Sequence, residues 1–167
     1  MTPDMAKAVV DHSVQYGRRE IATTAKVLAA VPADRLDYRP SDRCMSAGEL
    51  IWHIASSDCA LLNGAVDGVF HFGGERPEGV ETPAQLAEWY TRNANAALDR
   101  CAAMTGEQAA KMVDFMGVFQ QPAAGFLTMA FNHSIHHRGQ LSSYLRPMGS
   151  KVPAIYGMSA DENPFAK

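Results

Sequence analysis

Cysteine is scarce: Cys44, Cys59 and Cys101 are all that 167 residues contain. An odd, widely spaced trio supplies neither a disulfide framework nor a CxxC pair for redox or zinc chemistry. The three therefore read as reduced thiols, with Cys59 packed on a helix, and none is a candidate nucleophile. Positive charge is also in deficit. Fifteen Lys and Arg against eighteen Asp and Glu leave a net charge of −3, so no basic face is available to gain from counterion release, and nucleic acid is not expected as a partner. No apolar run approaches the roughly 20 residues that cross a bilayer. The first residues, MTPDMAKAVVDH, lack the basic and apolar regions of a secretory leader. No membrane partner is expected, and the expected compartment is the cytoplasm. Strand signals are poor throughout, and there is no internal repeat or low-complexity segment.

What remains is an ordinary globular composition, 47% apolar and 20% charged, in a chain long enough to bury roughly 70% of its unfolded surface. A single domain over residues 1–167 is expected. Helix starts are plainly written, because Ser or Thr with Glu or Gln three positions on can satisfy orphan backbone donors reciprocally. Thr2-Pro3 opens a first helix, to about residue 30. Ser46-Ala47-Gly48-Glu49 opens a second, to about Val69, and Thr82-Pro83-Ala84-Gln85 a third, to about Met104. Gln121-Pro122 is a weaker start for a fourth, running to about Arg146 and stopped by Pro147 and Gly149. Residues 106 to 120 are ambiguous, a short helix followed by irregular or extended chain.

The first helix carries two apolar stripes, Met5, Val9, His12, Tyr16, Thr23 and Val27 along one and Val10, Val14, Ile21 and Leu28 along the other. Either the buried face is broad, or the second stripe docks on another subunit, which makes a homodimer the expected assembly. Between the second and third helices lies HFGGERPEGVE, turn-rich and able to span about 36 Å if extended. That is enough to return along a whole helix. The expected fold is thus all-α: a four-helix bundle, up-down-down-up, with a long crossover between helices 2 and 3.

Three of the six histidines fall within five positions, in FNHSIHHRGQLSSYL. On the fourth helix the inward stripe reads Phe126, Ala130, His133, His137, Leu141, Tyr144, so two imidazoles interrupt a buried line. His136 falls on a more polar flank. An i, i+4 pair projects from one face about 6 Å apart, and both rings can reach one cation. By itself such a pair is as compatible with an exposed or hydrogen-bonded role. Burying two neutral imidazoles among apolar neighbours, however, leaves ring nitrogens in need of partners, and a metal satisfies two together. A third donor is His53, about 10 Å into the second helix, at a height matching His137 if the two helices run antiparallel. The alternative for His53 is a core histidine donating to a backbone carbonyl. Ser57, Ala60 and Gly64 follow it along the helix and leave space for water or substrate.

These blocks resemble the DinB superfamily, the DinB/YfiT-like metalloenzymes. LDYRPSDRCMSAGELIWHIA, Leu36 to Ala55, has the family's proline-containing lead into a capped helix with its first histidine. NHSIHHRGQLSSYLR, Asn132 to Arg146, resembles its HxxxH followed by Arg-Gly-Gln, and VPAIYG, Val152 to Gly157, resembles its tail. The resemblance implies a dimeric bundle holding a divalent metal through His53, His133 and His137. Family members with assigned activities include metal-dependent transferases and isomerases that use a low-molecular-weight thiol.

Three imidazoles and an open position describe a catalytic type of centre, and all-imidazole donors suit Zn, Ni, Fe or Mn. Such an ion would lower the pKa of a bound thiol or water for attack on a small electrophilic substrate, as a transferase or hydrolase does. Ser134 follows His133, so the glutamate of an HExxH metalloprotease is missing. Asp58, Asn63, Arg138, Gln140 and Tyr144 are candidates for orienting ligands or substrate, with Gln140 and Tyr144 favoured because they follow the ligand stripe. His12 and His71 look incidental. The rival is a non-catalytic metal-binding protein that senses stress, and DNA binding, suggested by the family's damage-inducible name, lacks a basic stripe.

Overall fold

The computed structural model describes residues 1–163; the last four residues of the expected domain lie outside them. Helix α1, Pro3–Ala29, begins where Thr2 Oγ1 accepts from the Met5 amide. Helix α2, Ala47–Asp67, starts at a reciprocal cap in which Ser46 Oγ accepts from Glu49 N at 3.2 Å and Glu49 accepts from Ser46 N at 2.6 Å. It stops at Gly68, left-handed at φ 75°. Helix α3, Pro83–Ala102, is capped in the same way by Thr82 and Gln85. A further capping pair, Thr105 and Gln108, starts the short α4, Gly106–Ala110, in the stretch that the sequence left ambiguous.

The all-α expectation needs correcting. Strands β1, Met112–Phe115, and β2, Phe119–Pro122, pair antiparallel, with Met112 opposite Pro122 and Phe115 opposite Phe119. Their turn places Met116 and Gly117 at φ 55° and 77°. A methionine gives no cue for a left-handed position, which is why the hairpin escapes a sequence reading. Helix α5, Ala123–Leu145, follows directly, one residue later than expected and without a side-chain cap. The hairpin substitutes for one: Ala123 N donates to Lys111 O at 2.9 Å.

α1 packs against α3 and α5, and α2 packs against α3 and α5. Contacts along their lengths give the directions. Trp52 meets Trp89 near the starts of α2 and α3, and Asp67 pairs with Arg100 near their ends, so these two run parallel. Met45, just before α2, accepts from Tyr144 near the end of α5, so α2 and α5 are antiparallel. The link after α2 makes this possible by running back along it: Gly74 O accepts from Trp52 Nε1 at 3.0 Å, and Arg76 donates to Gly48 O at 3.1 Å.

The two stripes of α1 exchange the roles expected of them. Val10, Val14, Ile21 and Leu28 form the core face, so the second stripe docks within this chain and not on another subunit. The first stripe lies mostly outward: Met5 is 60% exposed, and His12 and Tyr16 are also exposed, whereas Val27 is buried. Gly17 permits the closest approach of α5, since a Cβ there would lie 2.2 Å from Phe131 Cζ.

Buried charge also enters the core. Arg138, 1% exposed, pairs with Glu20, 4% exposed, at 2.8 Å. Arg138 also donates to Thr24 and to the hydroxyl of Tyr156, which in turn donates to Glu20 at 2.7 Å. The segment after α5 is thereby tied to α1 and α5 through polar groups that all find partners.

Candidate metal centre

His53 on α2 and His133 and His137 on α5 meet at one point. His133 Nε2 lies 3.0 Å and His137 Nε2 3.2 Å from His53 Nε2. The three donor atoms all fall within 4.8 Å of one another, so the group could hold a metal ion. His136 faces out, His71 lies exposed on the crossover, and His12 is exposed on α1.

The outer nitrogens decide what the inner ones present. Asp58 Oδ1 accepts from His133 Nδ1 at 3.1 Å, and Tyr90 donates to the other carboxylate oxygen at 2.8 Å. Burial, then the Asp58 charge, pushes the Tyr90 hydroxyl well above its usual range, so it stays a donor. On His137, Nδ1 faces Gln140 Oε1 at 3.0 Å. That orientation of the amide is set further out: Tyr144 must donate to the Met45 carbonyl at 3.3 Å and therefore accepts from Gln140 Nε2 at 3.2 Å. His53 has the weakest support, Ser57 Oγ at 3.4 Å from Nδ1.

With their protons held on Nδ1, His133 and His137 present Nε2 lone pairs to the point that His53 Nε2 also faces. Neutral imidazoles are also what the surroundings favour. Burial, and then the neighbouring His133 and His137, bring His53 down to about 4, and burial foremost lowers His137. At 3.0 and 3.2 Å from two such acceptors, His53 Nε2 either donates one proton to them or joins them as a third lone pair around a cation. Metal–nitrogen bonds of about 2.0–2.1 Å at a tetrahedral angle would set nitrogens about 3.3 Å apart. The donor set, its spacing and the carboxylate behind one imidazole all fit a divalent ion.

A cleft of about 420 Å³ opens beside the group, lined by His53 and His133 together with Trp52 and Ser57. Ser57 thus borders the open space that the sequence suggested. Gly64 does not leave an empty bundle centre, because the Phe70 ring fills the place of its missing side chain, 2.1 Å from where a Cβ would stand. Of the orienting candidates, Asp58, Gln140 and Tyr144 support the imidazoles. Asn63 is bound instead to Arg100, and Arg138 to Glu20. Ser134, after His133, faces Thr24 at 3.1 Å. Burial pushes the Cys59 and Cys101 thiols up to about 12, so neither is an activated nucleophile. The sequence signal for Asp58 was a lone carboxylate among the apolar residues of α2. Tyr90 and the cleft's aromatic wall gave none.

A mostly helical fold in which two antiparallel helices aim three imidazoles at one point defines a class of architecture that could hold a metal ion. The chain belongs to the DinB family, whose model matches residues 5–164. It is 32% identical over 136 residues to the uncharacterized protein YjoA of Bacillus subtilis (strain 168), covering 80% of this chain and 86% of that protein. It is 26% identical over 155 residues to YrdA of the same organism, covering 92% and 91%. Among solved structures, the DinB-like YjoA from B. subtilis matches with a TM-score of 0.70 at 27% identity, over 89% of this chain and 97% of that one. A DinB-like protein from Bacillus cereus ATCC 10987 matches with a TM-score of 0.72 at 26% identity, over 87% and 97%.

Proposed function

We propose that this protein is a divalent-metal-dependent enzyme in which His53, His133 and His137 are the metal ligands and a low-molecular-weight thiol or water attacks a small electrophile. The observation that carries the reading is the convergence of three Nε2 atoms beside an open cleft. A purely structural ion would favour a closed site with four protein ligands, and the rival non-catalytic binder or sensor has no need of a cleft at the ion. A Zn, Ni, Fe or Mn ion there supplies Lewis acidity that strengthens a thiol or water as a nucleophile near neutral pH. The protein's part is positional. Asp58 and Tyr90 hold His133, Gln140 and Tyr144 hold His137, and the rigid α2–α5 contact sets the spacing.

In this reading the four long helices form an up-down-down-up bundle working as one domain. It pairs as a homodimer, and the exposed Met5 and Tyr16 on α1 support that association.

Asp58→Asn is expected to weaken metal binding about 10–100-fold, because the carboxylate that fixes the His133 ring is lost. Competition with a chelating dye measures it, and unchanged affinity would remove Asp58 from the centre. The activity itself is tested by incubating metal-loaded protein with a panel of thiols and electrophiles and following loss of the electrophile by mass spectrometry. Turnover that a chelator abolishes and added metal restores is the expected result. No turnover, and no thermal stabilisation by any member of the panel, would favour the non-catalytic binder.

A further inference from the structure

Besides the histidines, the cleft is lined by aromatic and apolar side chains: Trp52, Leu61, Phe72, Phe115 and Met129. Its volume of about 420 Å³ lies within the range of about 300–1,000 Å³ typical of small-molecule sites. Phe72 remains 40% exposed, although the fold holds it in place. Its ring stacks 6.3 Å from Phe70 and meets Phe115 edge-on at 6.0 Å, while Trp52, bound to Gly74 O, pins the segment that carries it. A fixed, half-uncovered ring beside the metal group is apolar surface that the chain itself does not bury.

Charge narrows the choice of occupant. No lysine or arginine lines the cleft among the described residues, and its one carboxylate, Glu49, is held by the Ser46 amide and Arg39. Those contacts lower its pKa, the Ser46 amide foremost, so it stays ionised. An anionic ligand body would meet a negative charge and apolar walls, with no side-chain cation to offset its desolvation.

We infer that the substrate's body is an uncharged aromatic group lying against Phe72, Phe115 and Trp52, with its reacting end toward His53 and His133. This rests on the reading of the histidines as the reaction centre only for which end of the ligand points inward. Ring faces and edges on the wall favour aromatic partners over aliphatic ones of similar size.

The test is calorimetric titration of the metal-analysed protein with 2-naphthalenemethanol, cyclohexylmethanol and naphthalene-2-sulfonate. Saturable binding of the first is expected, at least tenfold tighter than that of the other two. Phe72→Ser should weaken it at least tenfold and Phe72→Trp should retain it, with bound metal unchanged in both. Met158→Ser, an exposed apolar change outside the cleft lining, should have no effect. Metal-loaded protein that fails to bind the neutral aromatic probe would overturn the inference, as would equal binding by Phe72→Ser or by the sulfonate. Protein that binds the probe at Phe72 but holds no metal would support this inference and defeat the metal reading instead.

Discussion

His133→Ala is expected to reduce bound divalent metal from about one ion per chain to under about a tenth, the largest effect of any single change at the centre. His133 contributes one of the three converging donors among the described residues, and its Nε2 lies 3.0 Å from that of His53. Removing a ligand outright should exceed the about 10–100-fold loss typical of altering a residue behind one. The substitution also takes a donor from buried Asp58, which keeps Tyr90. The cost to the fold is therefore about 1–3 kcal/mol and the protein remains folded. Thermal shifts separate these effects. Metal at about 100 times its dissociation constant should stabilise the wild type by about 2.7 kcal/mol and leave the variant unmoved. His136→Ala, on the exposed flank of the same helix, is the control and should retain metal. Equal metal content in His133→Ala and wild type would defeat the ligand assignment.

Arg138→Met is expected to give the largest loss of stability without direct removal of a metal ligand. Arg138 and Glu20 are almost wholly buried and 2.8 Å apart, so removing the cation leaves an uncompensated carboxylate in the core. Breaking such a pair costs about 3–5 kcal/mol. At about 2–4 °C per kcal/mol for a chain of this size, the midpoint should fall by about 6–20 °C. Tyr156 and Thr24 would lose the same guanidinium. The double variant Glu20→Leu with Arg138→Met should recover part of the loss, since the stranded charge is gone while the hydroxyl contacts are not. Denaturant titration of the three variants checks both points. A loss under about 1 kcal/mol in Arg138→Met would mean that solvent reaches the pair.

The long helices were legible because their starts are chemical statements. Ser46 with Glu49 and Thr82 with Gln85 close the reciprocal caps that their spacing implies. The convergence of His53 with His133 and His137 was legible too, because position along antiparallel helices sets height, and inward stripes set direction. The hairpin was not, since its left-handed turn rests on Met116 in place of the usual Asn or Gly. Nor was the Glu20–Arg138 pair. Its members lie 118 positions apart, and a charged residue in mid-helix ordinarily reads as solvated until its remote partner is known. On α1 two stripes of similar apolarity could not be ranked from sequence alone, because which one meets α3 and α5 depends on how the other helices pack.

The central claim is that three imidazoles hold one divalent ion, and X-ray absorption at the metal edge of protein purified without an affinity tag tests it most directly. The account predicts about one ion per chain, with imidazole nitrogens at about 2.0–2.1 Å and an exchangeable water or thiol beside them. Absence of imidazole scattering around the ion, or metal far below one per chain after loading, would contradict it.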